Sequence, residues 1–132
     1  MATILVVDDE VEVGEAVRRV LERAGFAVQV CHSGAEALAA LTVEEPQIVI
    51  TDVIMPRTNG VELIKAIRQG YPKVRVIAIS GGGSFGPLAY KPDAISTHAY
   101  LAVARNAGAT EVLTKPFDVE VLLAAVRRQL LN

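Results

Sequence analysis

Residues 4–9 of the chain read Ile-Leu-Val-Val-Asp-Asp, four apolar residues followed at once by two carboxylates. A second stretch, residues 48–52, is similar and reads Ile-Val-Ile-Thr-Asp, three apolar residues and a threonine before one carboxylate. Nearly continuous runs of Val, Ile and Leu are typical of parallel strands that helices cover on both faces. Because the carboxyl ends of parallel strands meet at one edge of a sheet, we expect the acids of the two stretches to lie close together.

Strand-like runs alternate with helical patterns along the whole chain. The first helical stretch has apolar residues at helical spacing, among them Val13, Val17 and Leu21, and Gly25 ends it. Regular alternation of this kind predicts an α/β fold with a single parallel sheet and right-handed crossovers. The predicted strands are Ile4–Val7, Ala27–Cys31, Ile48–Thr51, Val74–Ile79 and Glu111–Thr114.

Capping signals mark the later helices. Ser33 and Glu36 have the spacing of a capping box and open the second helix. Asn59-Gly60 introduces the third helix, and Asp118 caps the last one. A fourth helix is predicted between positions 93 and 107, which completes five βα units.

The composition excludes several classes of protein. With 52% hydrophobic residues, 21% charged residues and a net charge of −2, the chain is typical of a globular protein. Its apolar runs are far shorter than a membrane span, and we expect no secretory leader. Charges of both signs are mixed, so we expect neither nucleic acid nor a membrane as a partner. A cytoplasmic location is therefore expected.

Length and cysteine content indicate a simple organisation. A chain of 132 residues can form one hydrophobic core, and we expect residues 1–132 to be a single domain without an output domain. The single cysteine, Cys31, suits a reducing compartment. Because Cys31, His32 and His98 have no partners at metal-ligand spacing, we expect Cys31 in the core and both histidines at the surface.

Polar side chains stand at the carboxyl ends of four of the five predicted strands. The carboxylates among them would repel one another unless a cation lies between them, and such hard oxygen ligands suit Mg²⁺. A carboxylate beside this cation, with a hydroxyl and an ammonium to bind phosphate oxygens, is equipped for phosphoryl transfer. The residues are Asp8 and Asp9 after strand 1, Asp52 after strand 3, Ser80 after strand 4 and Lys115 after strand 5.

Each of these residues also has an ordinary structural explanation. Asp8 and Asp9 could cap a helix, and Asp52 could form a turn after a buried strand. Ser80 before glycines and Lys115 before a proline are common loop residues. Only their joint placement at one sheet edge points to shared chemistry.

The order of these motifs resembles the receiver domains of two-component response regulators. The resemblance covers essentially the whole chain and implies a flavodoxin-like (βα)5 receiver fold. In that fold a five-stranded parallel sheet of order 2-1-3-4-5 has helices on both faces. The matching segments are residues 6–9 (VVDD), 51–56 (TDVIMP), 59–60 (NG), 80–81 (SG) and 115–117 (KPF).

The resemblance implies a phosphoacceptor of a two-component system or phosphorelay. Asp52 would receive the phosphoryl group from a sensor histidine kinase or a histidine phosphotransferase, and the chain would then signal to a downstream protein target. Ser80 would contact the incoming phosphoryl group, and Lys115 would pair with its oxygens. A conformational change of the domain would carry the signal.

The resemblance also implies a Mg²⁺ site. Asp9 and Asp52 would be direct ligands of the ion, and Asp8 would act through water. The main-chain carbonyl of Ile54 would complete the protein ligands. No other cofactor is implied.

Beyond this self-catalysed transfer, we do not expect an enzyme. Ile54 and Gly82 stand two positions after Asp52 and Ser80, and neither side chain can orient an attacking water. Slow autodephosphorylation is therefore expected. A hydrolase with an aspartyl nucleophile would need a substrate cap and an acid at position 54. A flavin-binding protein would need a phosphate-cradling loop where residues 8–10 are all acidic.

Two departures from the family pattern keep one alternative open. Val112 stands where receivers have an aromatic switch residue. The interval from Ser80 to Lys115 is 115 − 80 = 35 positions, longer than is usual in receivers, and the added segment begins with a run of glycines. The alternative is an interaction module with a receiver fold that works independently of phosphorylation.

Overall fold

The described part of the computed structural model comprises residues 3–53, 60–80, 102–114 and 118–131. Five parallel strands form one sheet of order β2-β1-β3-β4-β5, which confirms the predicted flavodoxin-like topology. The strands are β1 (Thr3–Val7), β2 (Ala27–Cys31), β3 (Ile48–Asp52), β4 (Arg75–Ser80) and β5 (Glu111–Thr114). The helices are α1 (Val11–Arg23), α2 (Gly34–Val43), α3 (Gly60–Gly70), α4 (helical at residues 102–107) and α5 (Val119–Leu131).

All five predicted strands are present, and the bounds of β1, β3 and β4 differ from the predicted ones by one residue. β3 continues to Asp52 because this residue still pairs with Ile79 of β4. β4 begins one residue later than predicted, since the N–H of Val74 donates to the carbonyl oxygen of Tyr71 at 3.0 Å and closes a turn. The predicted start of α4, residues 93–101, lies outside the described residues.

The hydrophobic core has two layers, one on each face of the sheet. Neighbouring strand residues point to opposite faces, so Val49 and Ile50 enter different layers. Each fully buried aliphatic side chain contributes about 1.5–3 kcal/mol to folding. One layer packs α1 and α5 on the sheet through Leu21, Ile50, Ile77, Leu122 and Val126. The other packs α2, α3 and α4 through Leu41, Val49, Ile64, Ile67 and Ala104.

The helix ends follow the predicted caps. Gly25 has a φ of +99°, a conformation that favours glycine, and it follows the last turn of α1. The N–H of Glu36 donates to the hydroxyl of Ser33 at 3.1 Å, and the N–H of Val121 donates to the carboxylate of Asp118 at 2.9 Å. In the described ranges, none of the helices has the length and apolar character needed to cross a membrane.

Candidate functional site

The sheet register brings Asp8 and Asp52 to the same edge. Val7 of β1 pairs with Thr51 of β3, so each aspartate follows its pair by one residue. The N–H of Asp8 extends the ladder by donating to the carbonyl oxygen of Cys31 at 3.0 Å. Asp8 and Asp52 are buried, with only 5% and 6% of their surfaces exposed. The central strands thus hold two carboxyl groups in a largely desolvated position.

Asp9 completes an acidic cluster with these two residues. One carboxylate oxygen from each of Asp8, Asp9 and Asp52 lies within 4.8 Å of the others, and Asp9 is the most exposed of the three. The Oδ1 atom of Asp8 also accepts a hydrogen bond from the N–H of Glu10 at 2.9 Å, which limits its rotation. Sequence reasoning predicted this grouping, and the described coordinates bring all three together.

The acidic cluster fits a small divalent cation. Three negative charges at this separation repel one another strongly where water is partly excluded. A hard cation offsets that repulsion, and carboxylate oxygens that leave room for water are the donors Mg²⁺ prefers. Two other predicted site residues, Ile54 and Lys115, lie outside the described residues. Ser80 is the last residue of β4 at the same sheet edge, and its side chain is likewise outside the described part.

Gly60 brings the start of α3 against the end of β3. The N–H of Gly60 donates to the carbonyl oxygen of Val53 at 3.1 Å, and the N–H of Val53 donates to the carbonyl oxygen of Ile79 at 2.9 Å. A Cβ atom at position 60 would lie 2.6 Å from the Cα of Val53 and closer still to the carbonyl oxygen of Asp52. The absence of a side chain at position 60 is therefore required for the backbone geometry directly after Asp52.

His32 is a site neighbour that the sequence did not reveal. The sequence predicts a surface position, whereas the structure shows a half-buried ring whose Nδ1 lies 3.0 Å from the carbonyl oxygen of Asp8. The contact joins residues 24 positions apart. Its only sequence signal is the place of His32 directly after a strand that neighbours β1.

Cys31 is part of the core, as predicted. Its surface is only 4% exposed. Burial raises the pKa of the Cys31 thiol, and the nearby negative charge of Glu36 raises it further. The sulfur is therefore held in its unreactive thiol form beside the acidic edge.

Val112, at the position where an aromatic switch residue was expected from the resemblance, is partly buried. It packs against the core layer beneath α2, α3 and α4. A branched aliphatic side chain at this position has few rotamers and no ring to reorient. The replacement of the aromatic residue by Val112 therefore also removes the side chain that could change its orientation at this position.

Comparisons with known proteins show the family of the chain. The family model described as "Response regulator receiver domain" matches residues 4–127. Response regulator MprA of Mycobacterium avium (strain 104) is 33% identical over 124 residues, which are 94% of this chain and 49% of that protein. MprA of Mycobacterium ulcerans is also 33% identical, with 94% and 48% covered. The chain spans about half the length of the curated relatives it matches.

Solved structures show the same fold. The chemotaxis response regulator CheY4 of Vibrio cholerae superimposes with a TM-score of 0.81 at 30% identity, covering 98% of each chain. The receiver domain of NtrX from Brucella abortus gives a TM-score of 0.83 at 28% identity, covering 96% of this chain and 97% of that one.

Proposed function

Since this chain belongs to the receiver-domain family of response regulators, we propose that it accepts a phosphoryl group on Asp52 in a Mg²⁺-dependent reaction. The observation that carries the proposal is the convergence of Asp8, Asp9 and Asp52 within 4.8 Å at the carboxyl edge of the sheet. Structural ion-pair networks usually alternate charges, whereas this cluster places like charges together. Such an arrangement suits a cation and a phosphoryl group better than it suits fold stability.

Asp52 supplies the nucleophile of the proposed reaction. An oxygen of its carboxylate forms the new bond to phosphorus while the bond between phosphorus and the donor's histidine nitrogen breaks, and the nitrogen keeps the electron pair. The carboxyl group becomes an acyl phosphate, and β3 holds the acceptor oxygen in place. Its buried position excludes most competing water.

Asp9 and Asp52 would hold the Mg²⁺ ion directly, Asp8 would act through water, and Ile54 would contribute its main-chain carbonyl. When bound, the ion neutralises carboxylate charge and phosphoryl oxygen charge as the two groups approach. Ser80 would donate its hydroxyl to one phosphoryl oxygen and Lys115 its ammonium to another. These assignments extend the family resemblance residue by residue.

The proposed partners are a histidine kinase or histidine phosphotransferase upstream and a protein target downstream. We propose that neither nucleic acid nor a membrane binds the chain directly. Because Ile54 and Gly82 carry no ionisable group, the acyl phosphate is expected to hydrolyse slowly without a phosphatase. On this account the chain is a signalling module rather than an enzyme with an external substrate.

One observation favours a second candidate function. Val112 packs against the core at the position where a mobile ring was expected, so the family's usual aromatic switch residue is missing. A receiver fold that binds its partner independently of phosphorylation would not need that switch. Phosphorylation by a small acyl phosphate, followed by intact mass of the wild type and an Asp52 variant, separates the two candidates. A protein that gains no phosphoryl mass supports the second.

A further inference from the structure

The β2–α2 corner holds the main chain of Asp8 from two sides. The N–H of Asp8 donates to the carbonyl oxygen of Cys31 at 3.0 Å. The Nδ1 atom of His32 lies 3.0 Å from the carbonyl oxygen of Asp8. A carbonyl oxygen can only accept a hydrogen bond, so Nδ1 carries the proton and donates.

That carbonyl belongs to the peptide bond between Asp8 and Asp9. The peptide is planar, so a hydrogen bond on its oxygen orients the whole unit between the two Cα atoms. Both carboxylate side chains of the β1 end depart from those Cα atoms. His32 therefore acts on two members of the acidic cluster through one main-chain contact.

His32 is itself held firmly. The main-chain N–H of His32 donates to the Oε2 atom of Glu36 at 3.1 Å. The main-chain N–H of Glu36 in turn donates to the hydroxyl of Ser33 at 3.1 Å. On the other side, a Cβ added to Gly14 of α1 would be 4.0 Å from the His32 ring and 4.0 Å from the Cβ of Asp8. The imidazole thus occupies a defined place between the ends of β1 and β2 and the start of α1.

We propose that His32 is a positioning residue of the acidic cluster, whose ring N–H orients the Asp8–Asp9 peptide and raises the affinity of the cluster for a divalent cation. This inference rests on the proposed Mg²⁺ site. Without a fixed peptide, mutual repulsion would let the carboxylates of Asp8 and Asp9 move away from Asp52. Holding them in advance lowers the cost of gathering three like charges around the ion.

Three substitutions separate hydrogen bonding from packing. In His32→Asn the side-chain amide nitrogen is the same number of bonds from Cα as Nδ1, so the donor is retained. In His32→Leu the bulk is largely kept and the donor is lost. In His32→Gln the amide nitrogen lies one bond further away, which keeps polarity but misplaces the donor.

The test is a Mg²⁺ titration of the full chain, monitored through the amide chemical shifts of Asp8 and Asp9. Melting temperatures of the same variants are measured alongside. We expect His32→Leu to weaken Mg²⁺ affinity by about tenfold, because the loss of a hydrogen-bond partner outside the metal ligands commonly has an effect of this size. His32→Asn should bind as the wild type does, and His32→Gln should resemble the Leu variant. If the Leu variant does not fold, the comparison of Asn with Gln makes the same test.

Equal Mg²⁺ affinity in the wild type and the Leu or Gln variant would overturn the inference, even if the melting temperature falls. Equal weakening in the Asn, Gln and Leu variants would also overturn it, because the donor would not be the cause. Asp9→Ala serves as the control for the site itself. Failure of the wild type to bind Mg²⁺, or full binding by Asp9→Ala, would overturn the proposed metal site and this inference with it.

Discussion

The main-chain nitrogen of Gly60 lies 3.1 Å from the carbonyl oxygen of Val53, so the first turn of α3 packs directly on the backbone that leaves β3. That backbone carries Asp52, and its position depends on the absence of a side chain at position 60. The acidic edge is therefore shaped by the start of α3 as well as by the strand ends.

Gly60→Ala is expected to destabilise the fold and to reduce phosphorylation of Asp52. The added Cβ would lie 2.6 Å from the Cα of Val53, and the backbone must shift to relieve the overlap. Overpacking of this kind costs about 1–3 kcal/mol. Gly70→Ala is the matched control, since a Cβ there has no heavy atom within 4 Å at the other end of α3. Urea unfolding should show a loss at position 60 only, and equal stabilities would contradict the close approach.

Asp52→Asn is expected to leave the fold intact and to keep or raise its stability without Mg²⁺. The substitution removes one of three carboxylates that crowd the same edge, so their mutual repulsion falls. Thermal unfolding at neutral pH and low salt measures the effect. With Mg²⁺ added, the order should reverse, because the wild type gains more from the ion. A marked loss of stability in the metal-free variant would mean that Asp52 is chiefly a structural residue.

Asp9→Ala is expected to abolish the proposed Mg²⁺ binding of the acidic cluster. Asp9 is its most exposed member, so its removal should disturb the core little. Glu12→Ala is the control, because Glu12 is a nearby exposed acid of α1 outside the cluster. The rise in melting temperature with Mg²⁺ should persist in the Glu12 variant and vanish in the Asp9 variant. A similar rise in both would place the ion elsewhere.

The contact between β5 and α5 predicts a pH dependence of stability. Partial burial alone would raise the pKa of Glu111, but hydrogen bonds from Arg128 and Gln129, together with the positive charges of Arg128 and Arg105, outweigh it and lower the pKa. The Gln129 amide donates to Glu111 at 2.7 Å. A lowered folded pKa gives stability that is complete above the unfolded pKa and is lost as pH falls through the folded one.

Glu111→Gln should therefore be slightly less stable than the wild type at neutral pH. The difference should disappear in the acid range, where the wild-type carboxyl group is protonated. Glu62→Gln is the control, since Glu62 is 68% exposed and lies 3.8 Å from Lys65. Exposed pairs of this kind contribute little. Melting temperatures of both variants and the wild type are measured across the acid range. A difference between Glu111→Gln and the wild type that stays constant with pH would contradict the lowered pKa of Glu111.

The parallel strands and the acidic cluster could be predicted from the sequence because they follow from local patterns, whereas the strand order was implied by the family resemblance. Each strand is a continuous apolar run, and the residue after it must lie at the carboxyl edge, which places Asp8 near Asp52. The role of His32 could not be predicted in this way. Its contact depends on the orientation of one ring between separate strands.

The close packing at Gly60 is a second feature that the sequence could not predict. The sequence indicates a helix start at this position, but the close approach to Val53 depends on how α3 packs against the end of β3. The one-residue shift at the start of β4 has a similar origin, because the turn hydrogen bond of Val74 competes with strand pairing. Local periodicity places elements, whereas contacts between elements decide their ends and their finer roles.

The central claim, phosphorylation at Asp52, is tested most directly by intact mass spectrometry after incubation with a small acyl phosphate donor. Wild type with Mg²⁺, wild type with a chelator, and Asp52→Asn with Mg²⁺ are compared under the same conditions. The account predicts the mass gain of one phosphoryl group in the first sample and none in the other two. An equal gain in the Asp52→Asn sample, or no gain in the wild type with Mg²⁺, would contradict it.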